Sequence, residues 1–156
     1  MKHKVNVEIK VTSAEIDDIM CTAIEGGIDY WCESYCGSGG DFSLLPENQV
    51  EMKYEWEHLV YGGYLTMDED TSDLGSENFD ADGNYLYTGM THKLDQESFM
   101  KGLQMWIDEH HKVQLVRINN SSIYPYGYTT IDTGDIDAHD ADCIVQYALF
   151  GELKYC

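Results

Sequence analysis

Positive charge is what this chain has least of: nine Lys and Arg stand against 29 Asp and Glu in 156 residues, a formal net charge of −20 with the histidines neutral. A surface so acidic repels nucleic acid and anionic lipid over a Debye length of about 8 Å, so neither is an expected direct partner. Long apolar runs are missing as well, and no segment reaches the roughly 20 residues that a membrane-spanning helix needs. Met1-Lys2-His3-Lys4-Val5 leads into an alternating pattern with no apolar stretch of signal-peptide length and no small-residue cleavage site, so a cytoplasmic location is expected. The chain has no Gly-x-x-x-x-Gly-Lys loop, no Gly-x-Ser-x-Gly elbow, no His-Glu-x-x-His pair and no basic cluster. Carboxylates are so abundant that any acid–base pair chosen from them would be arbitrary; the expectation is a non-enzymatic protein without a cofactor. Cys21, Cys32, Cys36, Cys143 and Cys156 are odd in number, which argues for reduced thiols and against a disulfide framework.

Apolar area is present in quantity. Hydrophobic residues make up 43% of the chain, including 12 Tyr, 4 Phe and 3 Trp, enough to build a core despite the charge. The pattern of elements predicts one α+β domain over residues 1–156, with about three helices on a mainly antiparallel sheet and an acidic, loop-rich excursion at about 37–83.

Val5, Val7, Ile9 and Val11 alternate with polar residues and predict a first strand. Thr12-Ser13-Ala14-Glu15 reads as a capping box, and Ile16, Ile19, Met20, Ala23, Gly27, Tyr30 and Trp31 at helical spacing predict a helix from Ser13 to about Glu33. A strand is expected through 58–61 and 64–67 around Gly62-Gly63, and another at 84–87. Asp95 predicts the N-cap of a second helix, Gln96 to His111. Val113 to Arg117 and Ile123 to Ile131 read as a two-strand meander interrupted by Pro125-Tyr126-Gly127. Asp137 predicts the cap of a third helix that stops at Gly151, with Leu153 and Tyr155 in a last short strand. That helix is apolar on both flanks, so it is either central in the core or half of a homodimer contact.

The segments 16–32 (IDDIMCTAIEGGIDYWC) and 141–152 (ADCIVQYALFGE), with Phe99-Met100-Lys101-Gly102-Leu103 and Tyr61-Gly62-Gly63-Tyr64-Leu65, resemble a family of small acidic proteins of unassigned role encoded by phages and mobile elements of Gram-positive gut bacteria. The resemblance implies a setting and no mechanism: a bacterial cell in which such proteins interfere with host defence or host enzymes.

Asp17, Asp18, Glu25, Asp29 and Glu33 recur on the polar side of the first predicted helix, where carboxylates line one face at about 5–10 Å, a spacing comparable to phosphates along a strand. Asp68, Glu69 and Asp70 add a second acidic block. The leading expectation is a counter-defence protein that binds a basic host protein, such as a defence nuclease, through these eight residues and stands in for nucleic acid; the bland reading is a solvated helix face. The alternative is a protein that sequesters a small anionic signalling nucleotide. Gly26-Gly27 inside a helix costs about 1 kcal/mol per Gly, so something approaches that backbone closely, either another element or a ligand. The ligand pocket would then be built from Gly26, Gly27, Tyr30, Trp31, Gln146 and Tyr147.

Metal readings are weak. His139 and Cys143, like Cys32 and Cys36, are four residues apart, without the Cys-x-x-Cys spacing of a zinc site. Asn78-Phe79-Asp80-Ala81-Asp82-Gly83 mimics the first half of a calcium loop whose twelfth position, Gly89, is not a Glu. No metal is expected.

Overall fold

The computed structural model describes residues 2–3, 7–70, 80–84, 90–109 and 113–155. Helix α1 (Ser13–Gly26) starts at the predicted capping box, where the Glu15 carboxylate accepts from the Thr12 N–H at 2.7 Å and from Thr12 Oγ1 at 2.6 Å. Ile16, Ile19, Met20 and Ala23 bury its inner face at steps of three and four. The helix ends well short of Glu33. Gly26 and Gly27 are poor helix formers, and a Cβ on Gly27 would sit 2.6 Å from the carbonyl oxygen of Ala138, so the backbone here is pressed against the last helix. The chain turns through 27–31, and strand β1 (Cys32–Ser38) follows. Tyr30 and Trp31 therefore lie on a turn and Glu33 on a strand, because sheet pairing from Cys32 onward outweighs the helical spacing of two aromatic rings.

The predicted excursion at 37–83 contains regular structure. After a short 3-10 turn at Phe42–Leu44 comes helix α2 (Glu55–Val60), where a strand through 58–61 was expected. Trp56, Leu59 and Val60 bury one side of it at helical steps, and the buried Glu57 carboxylate anchors its start by accepting the Lys53 N–H at 2.5 Å and Gln49 Nε2 at 2.9 Å. Strand β2 (Tyr64–Glu69) follows the Gly62-Gly63 turn, with Leu65, Met67 and Glu69 inward. It is the middle of an antiparallel sheet ordered β1-β2-β3, with β3 (Thr91–Asp95) unforeseen from the sequence. The register sets Tyr35 opposite Met67 and Leu65 opposite Leu94.

Helix α3 (Gln96–Glu109) begins after Asp95, whose Oδ1 accepts the Ser98 N–H at 3.0 Å. The expected extension to His111 falls on 110–112, outside the described residues. Strands β4 (Leu115–Ile118) and β5 (Tyr128–Ile131) form a separate antiparallel pair, with Pro125-Tyr126-Gly127 in the connection. Helix α4 (Ala138–Phe150) is capped by Asp137 and closed by Gly151 at φ 71°, both as the sequence predicts.

α4 packs against α3 on one side and α1 on the other, which buries Ala141, Cys143, Ile144 and Val145 and leaves Tyr147, Ala148, Leu149 and Phe150 half-buried. Gly102 of α3 permits the approach: a Cβ there would lie 2.5 Å from both Ala148 N and Ile144 O. The core between these helices and the sheet holds Met20, Leu59, Leu65, Met67, Leu94, Phe99, Leu103 and Ile144. The molecule is thus a mixed α+β domain.

Among the described residues, neither the first nor the last predicted strand forms. Residues 7–11 carry a backbone bond from the Lys10 N–H to Thr129 O at 2.9 Å but no ladder; Val7 remains 57% exposed, while Ile9 and Val11 pack half-buried against the core. Leu153 to Tyr155 is held by a side chain instead: Gln146 Oε1 accepts the Lys154 and Tyr155 N–H groups at 2.9 and 2.7 Å. The strand expected at 84–87 lies mostly outside the described residues.

Candidate functional site

The eight carboxylates expected to meet a partner are in unlike environments. Asp18, Glu25, Asp29, Glu33 and Asp70 are exposed, and Asp18 accepts from Thr133 Oγ1 at 2.8 Å. Asp17 is half-buried and accepts from Trp56 Nε1 at 2.8 Å. Its carboxyl is pushed up by burial, partly offset by the Trp56 hydrogen bond and reinforced by Glu57 and Asp18 nearby. Asp68 is tied to Ser34 Oγ and Thr91 Oγ1, each at 2.6 Å across the sheet.

Glu69 overturns its expected place on the surface. Its side chain is fully buried because the β2 alternation that points Leu65 and Met67 inward carries it inward too. There it accepts from Lys154 Nζ, from Tyr155 OH and, at 3.0 Å, from His92 Nε2. Burial pushes its carboxyl up, but these three donors outweigh that and hold it below the ordinary glutamate value. Nor do the remaining acids form one long helical row: only Asp17, Asp18 and Glu25 stand on α1, with Asp29 on the turn and Glu33 on β1.

The alternative pocket corresponds in part to a cleft of about 410 Å³ at the junction of α1 and α4, lined by Gly26, Gly27, Tyr30, Ala138, His139 and Asp142. Its central feature is Asp142, 2% exposed, which accepts from Tyr30 OH at 2.7 Å, Trp31 Nε1 at 2.7 Å and Gln146 Nε2 at 2.9 Å. Partial burial and then the Asp142 carboxylate push the Tyr30 phenol far up, so it stays protonated and keeps donating. Trp31 and Gln146 stand behind the cleft wall as supports. Tyr147 does not join them, since one residue further along α4 turns the side chain to the Glu109 end of α3. Asp142 is the residue that sequence reasoning missed; an acid inside the otherwise apolar run Ala141 to Val145 was the available signal.

The cleft has the wrong sign for a phosphate. Among the described residues no Lys or Arg lines it, and its lining carries a buried carboxylate that already accepts from three donors. Its thiol neighbour is inert: burial and the charges of Asp142, Asp140 and Asp137 push Cys143 up to about 11, and burial with Asp68 pushes Cys32 up to about 11. His139 Nε2 lies 3.8 Å from Cys143 Sγ, but among the described residues no three His, Cys, Asp or Glu side chains gather as metal ligands. The Asp80 carboxylate is used locally, accepting the Asp82 and Asn84 N–H groups at 2.9 and 2.7 Å. No helix among the described residues is long and apolar enough to cross a membrane.

Searches against models of protein families, curated proteins and solved structures find no match to this chain.

Proposed function

We propose that this protein is a non-catalytic binder whose acidic exterior docks on a basic protein. The observation that carries the reading is how little of the surface charge is neutralised internally. Lys10, Lys93, Lys101 and Lys154 are committed to Glu8, Asp95, Glu97 and Glu69. Asp18, Glu25, Asp29 and Glu33 have no cationic partner among the described residues. Exposed like charges destabilise a compact domain, and a basic surface docked against them relieves that repulsion while steering the encounter.

A regular helical row of phosphate stand-ins is no part of this proposal, because α1 ends at Gly26. The resemblance of the sequence to phage and mobile-element proteins supports a host protein as the partner and counter-defence as the purpose. A signalling-nucleotide trap is disfavoured because no Lys or Arg among the described residues lines the Asp142 cleft.

The test is titration against polylysine and a panel of basic bacterial nucleases at low and at physiological salt. Binding that weakens steeply with added salt is expected. Salt-insensitive binding, or none to any basic probe, would sink the reading.

A further inference from the structure

A second surface combines what the acidic exterior lacks, apolar contact area with an under-used carboxylate in its wall. A groove of about 370 Å³ runs between the first turn of α1, Leu44 of the 3-10 turn, Tyr61 after α2 and Ile123 of the β4–β5 connection, with Asp17 in its lining. Leu44 is 59% and Ile123 66% exposed. The apolar character continues beyond the groove: Trp56, bonded to Asp17, carries the exposed Tyr54 ring stacked on it with centroids 4.4 Å apart and planes 5° from parallel.

The charge is what selects an occupant. Asp17 spends Oδ1 on Trp56 Nε1, and among the described residues Oδ2 receives no donor. Its neighbours Glu57 and Asp18 are also acids, and among the described residues no Lys or Arg lines the groove. At the helix start the Glu15 carboxylate accepts from Thr12 N and Thr12 Oγ1, which places a further acid in the first turn of α1. A half-buried, like-charge-crowded carboxylate beside apolar walls is complementary to a cationic group carried on an apolar stem, and Arg suits it best, since its weakly hydrated plane both pairs with a carboxylate and lies flat on a Tyr face.

We propose that this groove is where the basic partner is gripped: it takes a protein segment in which an Arg is flanked by aliphatic side chains, the guanidinium on Asp17 and the aliphatic groups against Leu44, Tyr61 and Ile123. This rests on the proposed docking of a basic protein and adds to it a defined seat and a demand for apolar residues beside the charge.

The experiment uses two synthetic peptides of equal length and positive charge, one of Arg and Leu, the other of Lys and Ser, titrated into the isotopically labelled full chain. The Arg/Leu peptide is expected to shift the Trp56 indole N–H and the amides of residues 12–17, and to bind more tightly than the Lys/Ser peptide. Leu44→Asp and Ile123→Asp, both at exposed positions, make the protein more acidic. If the groove is the seat, each weakens the Arg/Leu peptide by about tenfold or more, the loss expected when a Leu-sized contact is removed. Asp17→Asn, which keeps an acceptor for Trp56, weakens it too. Undiminished or tighter binding to Leu44→Asp overturns the groove and leaves charge docking intact, whereas failure of both peptides to bind at low salt overturns both. A dimer of the free protein that Leu44→Asp disperses would assign the groove to a second copy of this chain and overturn the proposal as well.

Discussion

The ring of Tyr155 lies parallel to that of Trp31, centroids 5.5 Å apart and planes 3° from parallel, while the Tyr155 hydroxyl reaches on to the buried Glu69 carboxylate. Two distant stretches of chain are thereby pinned to each other, and both are pinned to α4. Trp31 bonds to Asp142, and the tail backbone bonds to Gln146 one turn further along the same helix. The polar groups around the α1–β1 turn, the sheet and the C-terminal tail form one connected arrangement on α4, and its members are the places where stability is most exposed to change.

Glu69 makes stability depend on acid in a predictable direction. Its native pKa is depressed, so near that value the unfolded chain binds its proton more readily than the folded one. The stabilisation is complete above the unfolded value, about 4.3 for Glu, and is lost as the pH falls through the native value. Urea unfolding of Glu69→Gln should show about 1–3 kcal/mol lower stability at neutral pH and a shallower decline than the parent below about pH 4.3. Parallel declines would remove Glu69 from this role.

Asp142 is predicted to act as an acceptor for the turn and not as a reagent. Asp142→Ala leaves the buried Trp31 Nε1 without its acceptor, while Gln146 Nε2 keeps Tyr30 OH and Tyr155 O, each at 3.2 Å. With such an orphan worth about 1–3 kcal/mol, the variant should lose about that much, and Asp142→Asn, which retains one oxygen, should lose less. Chemical denaturation followed by Trp fluorescence measures both, and equal stabilities for the two variants and the parent would contradict the arrangement.

Gly102→Ala tests the α3–α4 contact through the sign of its effect. On an isolated helix the change would stabilise by about 1 kcal/mol. Here the new methyl meets Ala148 N and Ile144 O at 2.5 Å, both backbone atoms that cannot rotate away, so a net loss of about 1–3 kcal/mol is expected in thermal or urea unfolding. A stabilised variant would show that the two helices slide apart without cost.

Helix ends set by local chemistry were legible in the residues alone: the Thr12–Glu15 box, the Asp95 and Asp137 caps and the Gly151 stop all stand where the chain predicted them. Short apolar runs were not. Residues 58–61 suit a strand or a helix turn equally over so few positions, and only the burial of Trp56, Leu59 and Val60 against α1 and the sheet decides between them. Of the candidate pocket, Gly26, Gly27 and Tyr30 were readable because paired glycines announce close approach, but its centre at Asp142 was hidden in an apolar helix.

Composition by itself determined the sign of the surface, the caps and the mixed α+β character, since net charge, side-chain capping and hydrophobic period are properties of neighbouring residues. Which carboxylates face water was decided by tertiary structure. Asp68, Glu69 and Asp70 are consecutive and chemically alike, yet one bridges the sheet, one is sealed beneath Lys154 and Tyr155, and one is exposed. The side-chain alternation of β2 turns Glu69 inward, and only a tail arriving from the other end of the chain supplies the donors that make its burial tolerable.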